Sequence, residues 1–172
     1  MTAEAFCIWI TGLPASGKSS ITAVLSGRLR HLELPVVVLE SDSMRRILTP
    51  QPSYLPEERE RFYDMLSAIS IKIASDGINA IIDATASRRS YRDRVRVRIP
   101  RFVEVYVECP LETCIQRDPK GIYRHAGRAG TVPGLHEPYE PPKSPDLVLR
   151  CEISPEANAD IILDKLHQLL YI

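Results

Sequence analysis

Residues Gly12-Leu13-Pro14-Ala15-Ser16-Gly17-Lys18-Ser19 fit the spacing G-x-x-x-x-G-K-[S/T] at every constrained position. A segment of this type can grip a polyphosphate. Glycines at 12 and 17 let the backbone bend so that several N–H groups converge at the start of a helix, and Lys18 adds a full charge toward the outer phosphates. The Ser19 hydroxyl follows where such loops ligate the magnesium ion that accompanies ATP. The expected nucleotide cradle is therefore Gly12, Leu13, Pro14, Ala15, Ser16, Gly17, Lys18, Ser19 and Ser20, and the cofactors it implies are ATP and Mg2+. A plain glycine-rich turn would not need the context found here. Ala5 to Thr11 is a continuous apolar run typical of a buried parallel strand, and Ile21, Val24, Leu25 and Leu29 recur with helical period after the loop.

Two acids stand where a phosphoryl transfer needs them. Pro35 to Glu40 and Ala80 to Asp83 read as further buried strands, each ending in acid, so Asp42 and Asp83 should lie beside the loop at the carboxyl edge of a parallel sheet. Asp42 is expected to orient an acceptor hydroxyl and take its proton. It could equally cap a short helix over 43–48. Asp83 fits the acid that holds magnesium, or else caps the helix that follows it. Ser19, Asp42 and Asp83 are the candidate metal ligands, and which acid stands closer to the ion is left open.

Cations are plentiful. Arg45 and Arg46 follow Asp42 closely, and Arg45 is the better candidate to enter the same cavity. Arg59 and Arg61 open a long helix that also carries Glu57, Glu58 and Glu60, where a surface salt-bridge network is the default. Arg88 to Arg101 holds seven arginines. A charge run is usually a solvated face, although Arg89, Arg92 and Arg96 share helical spacing and could reach a substrate anion. Arg117 and Lys120 begin a basic stretch that leads into five prolines between Pro133 and Pro145. Kinases close such a flap over the phosphates to exclude water and offset transition-state charge, so Lys120 and Arg117 are expected there.

The positioning elements follow from the pattern. Further strands are expected over 102–108 and 147–149, and helices over 19–30, 56–76, 87–98, 111–117 and 155–170. Strands alternating with helices make a three-layer α/β/α domain of phosphate-loop type, with a mainly parallel five-stranded sheet and a lid over about 118–145. One domain over 1–172 suffices for this length. Lys plus Arg and Asp plus Glu each number 22, so net charge proposes neither nucleic acid nor a membrane as partner. With no signal-like start and no apolar stretch near the roughly 20 residues of a span, the expectation is a soluble cytoplasmic protein. Cys7, Cys109, Cys114 and Cys151 lack metal-ligand spacing and read as buried apolar residues.

From Phe102 the chain runs FVEVYVECPLETCIQRDPKGIY and continues through PYEPP. Together with the phosphate loop this resembles the adenylylsulfate kinases, whose pattern includes F-x-E-V-Y-V-x-C-P-L-E, R-D-P-K-G-L-Y-K and P-Y-E-x-P. The resemblance implies transfer of the ATP γ-phosphate to the ribose 3′-hydroxyl of adenosine 5′-phosphosulfate (APS), and a homodimer. Carried over, Lys18 and Ser19 keep nucleotide and magnesium roles, Asp42 matches the acid beside the acceptor hydroxyl, and Arg45 and Arg59 match substrate arginines. Tyr54 stands where a Phe stacks on the substrate adenine, and Lys120 matches the flap lysine. Departures concentrate on the acceptor side. Glu40-Ser41-Asp42-Ser43 replaces Asp-Gly-Asp-Asn, Phe62-Tyr63-Asp64-Met65 replaces Asn-Ile-Arg-Arg, Val132-Pro133-Gly134 replaces Phe-Thr-Gly, and Asp83 to Arg89 replaces a Phe-Ile-Ser-Pro stretch. A related kinase with a different acceptor, or a nucleotide-binding module without transfer, are the alternatives.

Overall fold

The computed structural model describes residues 4–53, 55–126 and 131–172. Their elements run β1 (Cys7–Thr11), α1 (Lys18–His31), β2 (Val36–Glu40), α2 (Ser41–Leu48), α3 (Pro56–Ser75), β3 (Asn79–Asp83), α4 (Arg89–Arg96), β4 (Phe102–Glu108), α5 (Leu111–Arg117), β5 (Leu147–Arg150) and α6 (Pro155–Gln168). The strands form one parallel sheet in the order β2-β3-β1-β4-β5. After β1 the chain crosses to the edge at β2 and fills the gap with β3, then builds outward on the other side through β4 and β5. The turn after β1 is thus the switch point where such sheets open a crevice.

All five residues of β1 are buried, which explains its uninterrupted apolar sequence: both faces of the strand are covered. The period of two divides them. Phe6, Ile8 and Ile10 pack with Ile21, Leu25 and Leu29 of α1 and Ile162 and Leu166 of α6. Cys7 and Trp9 face Phe62, Tyr63 and Leu66 of α3 and Tyr91 and Val95 of α4. Each fully buried large side chain contributes about 1.5–3 kcal/mol relative to exposure, and a slip of one residue in β1 would exchange the two faces. A third cluster, at the sheet's carboxyl edge, joins Cys109, Cys114, Cys151, Tyr123 and Val132 to Leu13 and Ala15 of the loop. All four cysteines are buried and free, as expected. Burial pushes the Cys151 thiol up to about 11.

Several sequence readings are corrected. Asp42 caps no helix: α2 begins at Ser41 with Glu40 in the cap position, which places Asp42 inside the first turn. Asp83 caps nothing either, because α4 begins only at Arg89 and Arg88 occupies its cap. Arg92 and Arg96 of α4 are engaged within the protein, while Arg89 and Arg94 are part-exposed and pair with acids at the surface. Arg92 is 1% exposed; its Nε donates to Glu104 Oε1 at 2.7 Å and one terminal nitrogen to the Glu140 carbonyl at 2.7 Å. Arg96 donates to Glu104 Oε2 at 2.9 Å and Asp146 Oδ2 at 3.2 Å, and Arg89 to the Pro141 carbonyl at 3.1 Å. These residues fasten the stretch 140–146 onto the sheet. Among the described residues, no helix is long and apolar enough to cross a membrane.

Removing one partner of this buried pair strands the other charge. Arg92→Leu is expected to lower unfolding stability by about 3–5 kcal/mol in urea titration; a loss below about 1 kcal/mol, the scale of a surface pair, would show that Glu104 finds sufficient compensation from Arg96 alone.

Candidate functional site

The loop between β1 and α1 takes its shape from three residues with positive φ: Gly12 at 153°, Ala15 at 62° and Gly17 at 103°. At Gly12 the reason is also close approach, since a Cβ there would stand 2.6 Å from the Val107 carbonyl oxygen of β4. Gly17 occupies the cap position of α1 and supplies no side-chain acceptor. The first N–H groups of α1 are therefore presented to an anion at the positive end of the helix dipole. Lys18 is 7% exposed and donates to the carbonyls of Gly12 at 3.0 Å and Leu13 at 2.8 Å. Burial holds its ammonium below the usual lysine range, and the Asp83 carboxylate opposes that effect. Asp83 is 3% exposed; burial raises its carboxyl, while Lys18 and a hydrogen bond from the Ser19 hydroxyl pull it back.

A cavity of about 430 Å3 opens over this loop, walled by Lys18, Ser19, Asp42, Asp83, Arg117 and Lys120 among others. Pro14, Ala15, Gly17 and Ser20 also face it. Gly12, Leu13 and Ser16 lie behind the wall: Leu13 packs into the apolar cluster below, and Ser16 is 1% exposed with its hydroxyl buried. Arg117 reaches the rim, where it donates to the Cys151 carbonyl at 2.9 Å.

A second cavity, of about 560 Å3, adjoins the first and carries Arg45, Arg46, Arg59, Tyr63, His125 and Val132. Asp42, Thr85 and Lys120 line both. The junction is a charge cluster: Lys120 Nζ donates to Asp42 Oδ2 at 2.5 Å and Glu40 Oε1 at 3.2 Å. Partial burial lowers the Lys120 pKa, but the two carboxylates outweigh it and the net shift is upward. Arg59, 7% exposed, pairs with Glu137 and donates to the carbonyl and hydroxyl of Thr131, both at 3.2 Å. Arg45 lies over the Phe62 ring at 4.0 Å with Glu58 at 3.4 Å. Tyr54 lies outside the described residues.

The flap is secured at both limbs. Tyr123 donates to the Pro14 carbonyl at 3.0 Å, and Gly134 meets Leu13, where an added Cβ would stand 2.6 Å from Cδ2. On the return limb the Tyr139 hydroxyl is 3.0 Å from Thr11 Oγ1, which donates to the Thr85 carbonyl at 2.6 Å. Glu137, Tyr63 and Thr85 are site residues that sequence reasoning passed over. Tyr63 was legible only as a departure from the family pattern, and the Glu137 pairing joins positions too far apart to be inferred from spacing.

Oxygen donors dominate the first cavity. Among the described residues, no group of three or more His, Cys, Asp or Glu is arranged around a metal position. That suits magnesium, which is held by one or two carboxylates and completes its shell from phosphate and water. The Ser19 hydroxyl and the Asp83 carboxylate, both lining this cavity, supply such a set.

A parallel sheet switching at a glycine and lysine loop, with acids at the ends of β2 and β3 and a basic flap above, defines a phosphate-loop kinase fold. Comparison with known proteins narrows this: residues 4–150 match the adenylylsulphate kinase family, and the chain belongs to it. It is 37% identical to the adenylyl-sulfate kinase of Gloeothece citriformis over 96% of both chains. The probable adenylyl-sulfate kinase of Pyrococcus abyssi is 32% identical over 98% of this chain and 99% of that one. Among solved structures, the Mycobacterium tuberculosis APS kinase in complex with AMPPNP and APS superposes with a TM-score of 0.89 at 29% identity, covering 95% of this chain and 98% of that one.

The loop geometry generates a test. Gly12→Ala must displace the β4 backbone or the loop, and with phosphates held by that backbone, ATP-dependent turnover is expected to fall on the order of 100-fold with the circular dichroism spectrum preserved. Turnover within about twofold of wild type, a change worth less than half of 1 kcal/mol, would show that the loop accommodates a side chain there.

Proposed function

We propose that this protein transfers the γ-phosphoryl group of ATP to the 3′-hydroxyl of adenosine 5′-phosphosulfate, giving 3′-phosphoadenosine 5′-phosphosulfate and ADP. The observation that carries the reading is the pair of cavities meeting at Asp42 and Lys120: one walled by the phosphate loop, the other by arginines. Family membership names the acceptor, and the junction of the two cavities at Asp42 and Lys120 supports a direct transfer between them.

The loop amides and Lys18 hold the β and γ phosphates, and Arg117 lies at the nucleotide end. Asp42 orients the acceptor hydroxyl and takes its proton as the new O–P bond forms and the bond to the ADP oxygen breaks. Lys120, on the flap, stands beside Asp42 and offsets charge developing on the transferred group. Arg45 and Arg59 hold the phosphosulfate anion. Ser19 and Asp83 would hold magnesium, with Asp42 the second acid near it, and when bound that ion would neutralise charge on the phosphate oxygens. Tyr54 retains its proposed place against the adenine.

A second reading, with a different hydroxyl acceptor, has one observation in its favour. Val132 is 6% exposed and packs into the apolar cluster with Tyr123, so an aliphatic wall stands where the family pattern has an aromatic. Losing one face of a stacking clamp costs about 1–3 kcal/mol per base, which raises the acceptor KM without touching the ATP site. The two readings separate on ADP release with APS against ADP release with water alone. If saturating APS accelerates nothing while another acceptor does, the first reading fails.

Two variants probe the roles. Asp42→Asn is expected to lower kcat with APS on the order of 10^2- to 10^4-fold while ATP still protects the fold in a thermal shift, since proton abstraction is lost and nucleotide binding is not; undiminished kcat would remove Asp42 from the chemistry. Asp83→Asn is expected to raise the magnesium concentration for half-maximal rate by roughly 10- to 100-fold, read from a magnesium titration at saturating substrates. An unchanged midpoint would assign the ion to other groups.

A further inference from the structure

We propose that Phe62 is a positioning residue for the acceptor: its ring is the platform on which the Arg45 guanidinium is held flat and aimed at the acceptor's anionic group. The inference rests on the acceptor site proposed above and adds a residue to it. In the family pattern this position is a polar substrate contact; here it is a phenyl ring with no solvent exposure, which an account limited to direct contacts would count as a simple loss.

The geometry points elsewhere. Arg45 Cζ lies 4.0 Å from the Phe62 ring centroid, within cation–π range, and the arginine lines the acceptor cavity while Phe62 lies beneath it. The ring cannot turn to follow the cation. It meets Tyr63 edge-on at 5.2 Å, Tyr63 stacks on Tyr91 at 4.3 Å, and the Tyr63 hydroxyl accepts from the Ala86 amide at 2.9 Å. Arg45 comes from α2, an eight-residue helix with no fully buried residue. Glu58 Oε1 lies 3.4 Å from one terminal nitrogen. A planar guanidinium set over a ring and beside a carboxylate at the wall of the cavity has part of the ordering cost of binding an anion already met. The polar contact missing from position 62 is thus replaced by an interaction one layer back.

A core residue would also matter if truncated, so the test drains the ring's charge rather than its volume. Mono-, di- and trifluorophenylalanine placed at position 62, with Phe62→Leu as the ring-deleted end point, are assayed for KM of APS and of ATP separately. The expected result is a KM for APS that climbs with each fluorine, to roughly 3- to 30-fold for the full loss, with the KM for ATP unchanged, and no such climb in an Arg45→Ala background. A climb that persists without Arg45, KM values for ATP and APS that rise together, or a flat series would overturn the proposal. Should the wild type release no ADP with APS, the acceptor reading fails on its own and the acceptor role of Phe62 falls with it. Urea midpoints of Phe62→Leu, Arg45→Ala and the double variant then judge the ring–guanidinium contact alone: non-additive midpoints uphold the contact, and additive ones reject it.

Discussion

Two charged groups buried beside the phosphate loop, Lys18 and Asp83, set a requirement that the surrounding elements meet together. Lys18 and Asp83 are both nearly inaccessible, and each alone would lose most of its hydration. Burial disfavours the charged form of each, while each favours the charged form of the other. The two carbonyls of Gly12 and Leu13 take up donors of the lysine, and the Ser19 hydroxyl serves the aspartate. This requires β3 to lie beside β1 with Ile10 opposite Asp83, the register observed. A slip by one residue would turn the carboxylate to the other face of the sheet and leave Asp42 as the remaining carboxylate acting on the ammonium. The β1–β3 register and the loop path thus meet one requirement, that both buried charges be compensated.

The flap meets the same requirement from above. Its leading limb places Lys120 against Asp42 and Glu40, and its return limb is stapled by Tyr139 to Thr11 and by Arg92 to Glu140. Between them Glu137 pairs with Arg59 of α3. One segment therefore touches the nucleotide wall through Tyr123 and Pro14 and the acceptor wall through Glu137 and Arg59. Arg59 thus ties the flap to α3 through Glu137 and Thr131, so any change in the Arg59 pairing is felt by the flap.

Legibility followed sequence distance. The strands and helices were readable because each is a local pattern: β1 is apolar on both faces, and α1 carries its period after a loop of constrained spacing. Asp42 and Asp83 were found because topology places strand ends together. The arginines of α4 were misjudged for the opposite reason. Helical spacing shows that Arg92 and Arg96 share a face, but the acid that meets them is Glu104 on a different element, and nothing in a strand reading F-V-E-V-Y-V separates a buried glutamate from an exposed one. The helix-cap readings of the two acids failed, the caps being Glu40 and Arg88, because helix starts depend on backbone torsions that composition does not fix.

The departures from the family pattern are correlated changes. Glu40, one methylene longer than aspartate, reaches Lys120 with one oxygen while the other accepts from Ser43 at 2.6 Å; Arg46 in turn donates to Ser43 at 3.0 Å. The serine that replaces the pattern's asparagine thus holds the glutamate that replaces its aspartate. Across the cavity, Phe62 and Tyr63 enter as a pair, one beneath Arg45 and the other bonded to the backbone of the altered stretch after β3 at Ala86. These substitutions are paired within the pocket, Glu40 with Ser43 and Tyr63 with the stretch at Ala86, whereas Val132 packs into the cluster of Tyr123 and the cysteines and pairs with no other departure. The altered residues beneath Arg45 and beside Asp42 thus form two separate rearrangements of the wall.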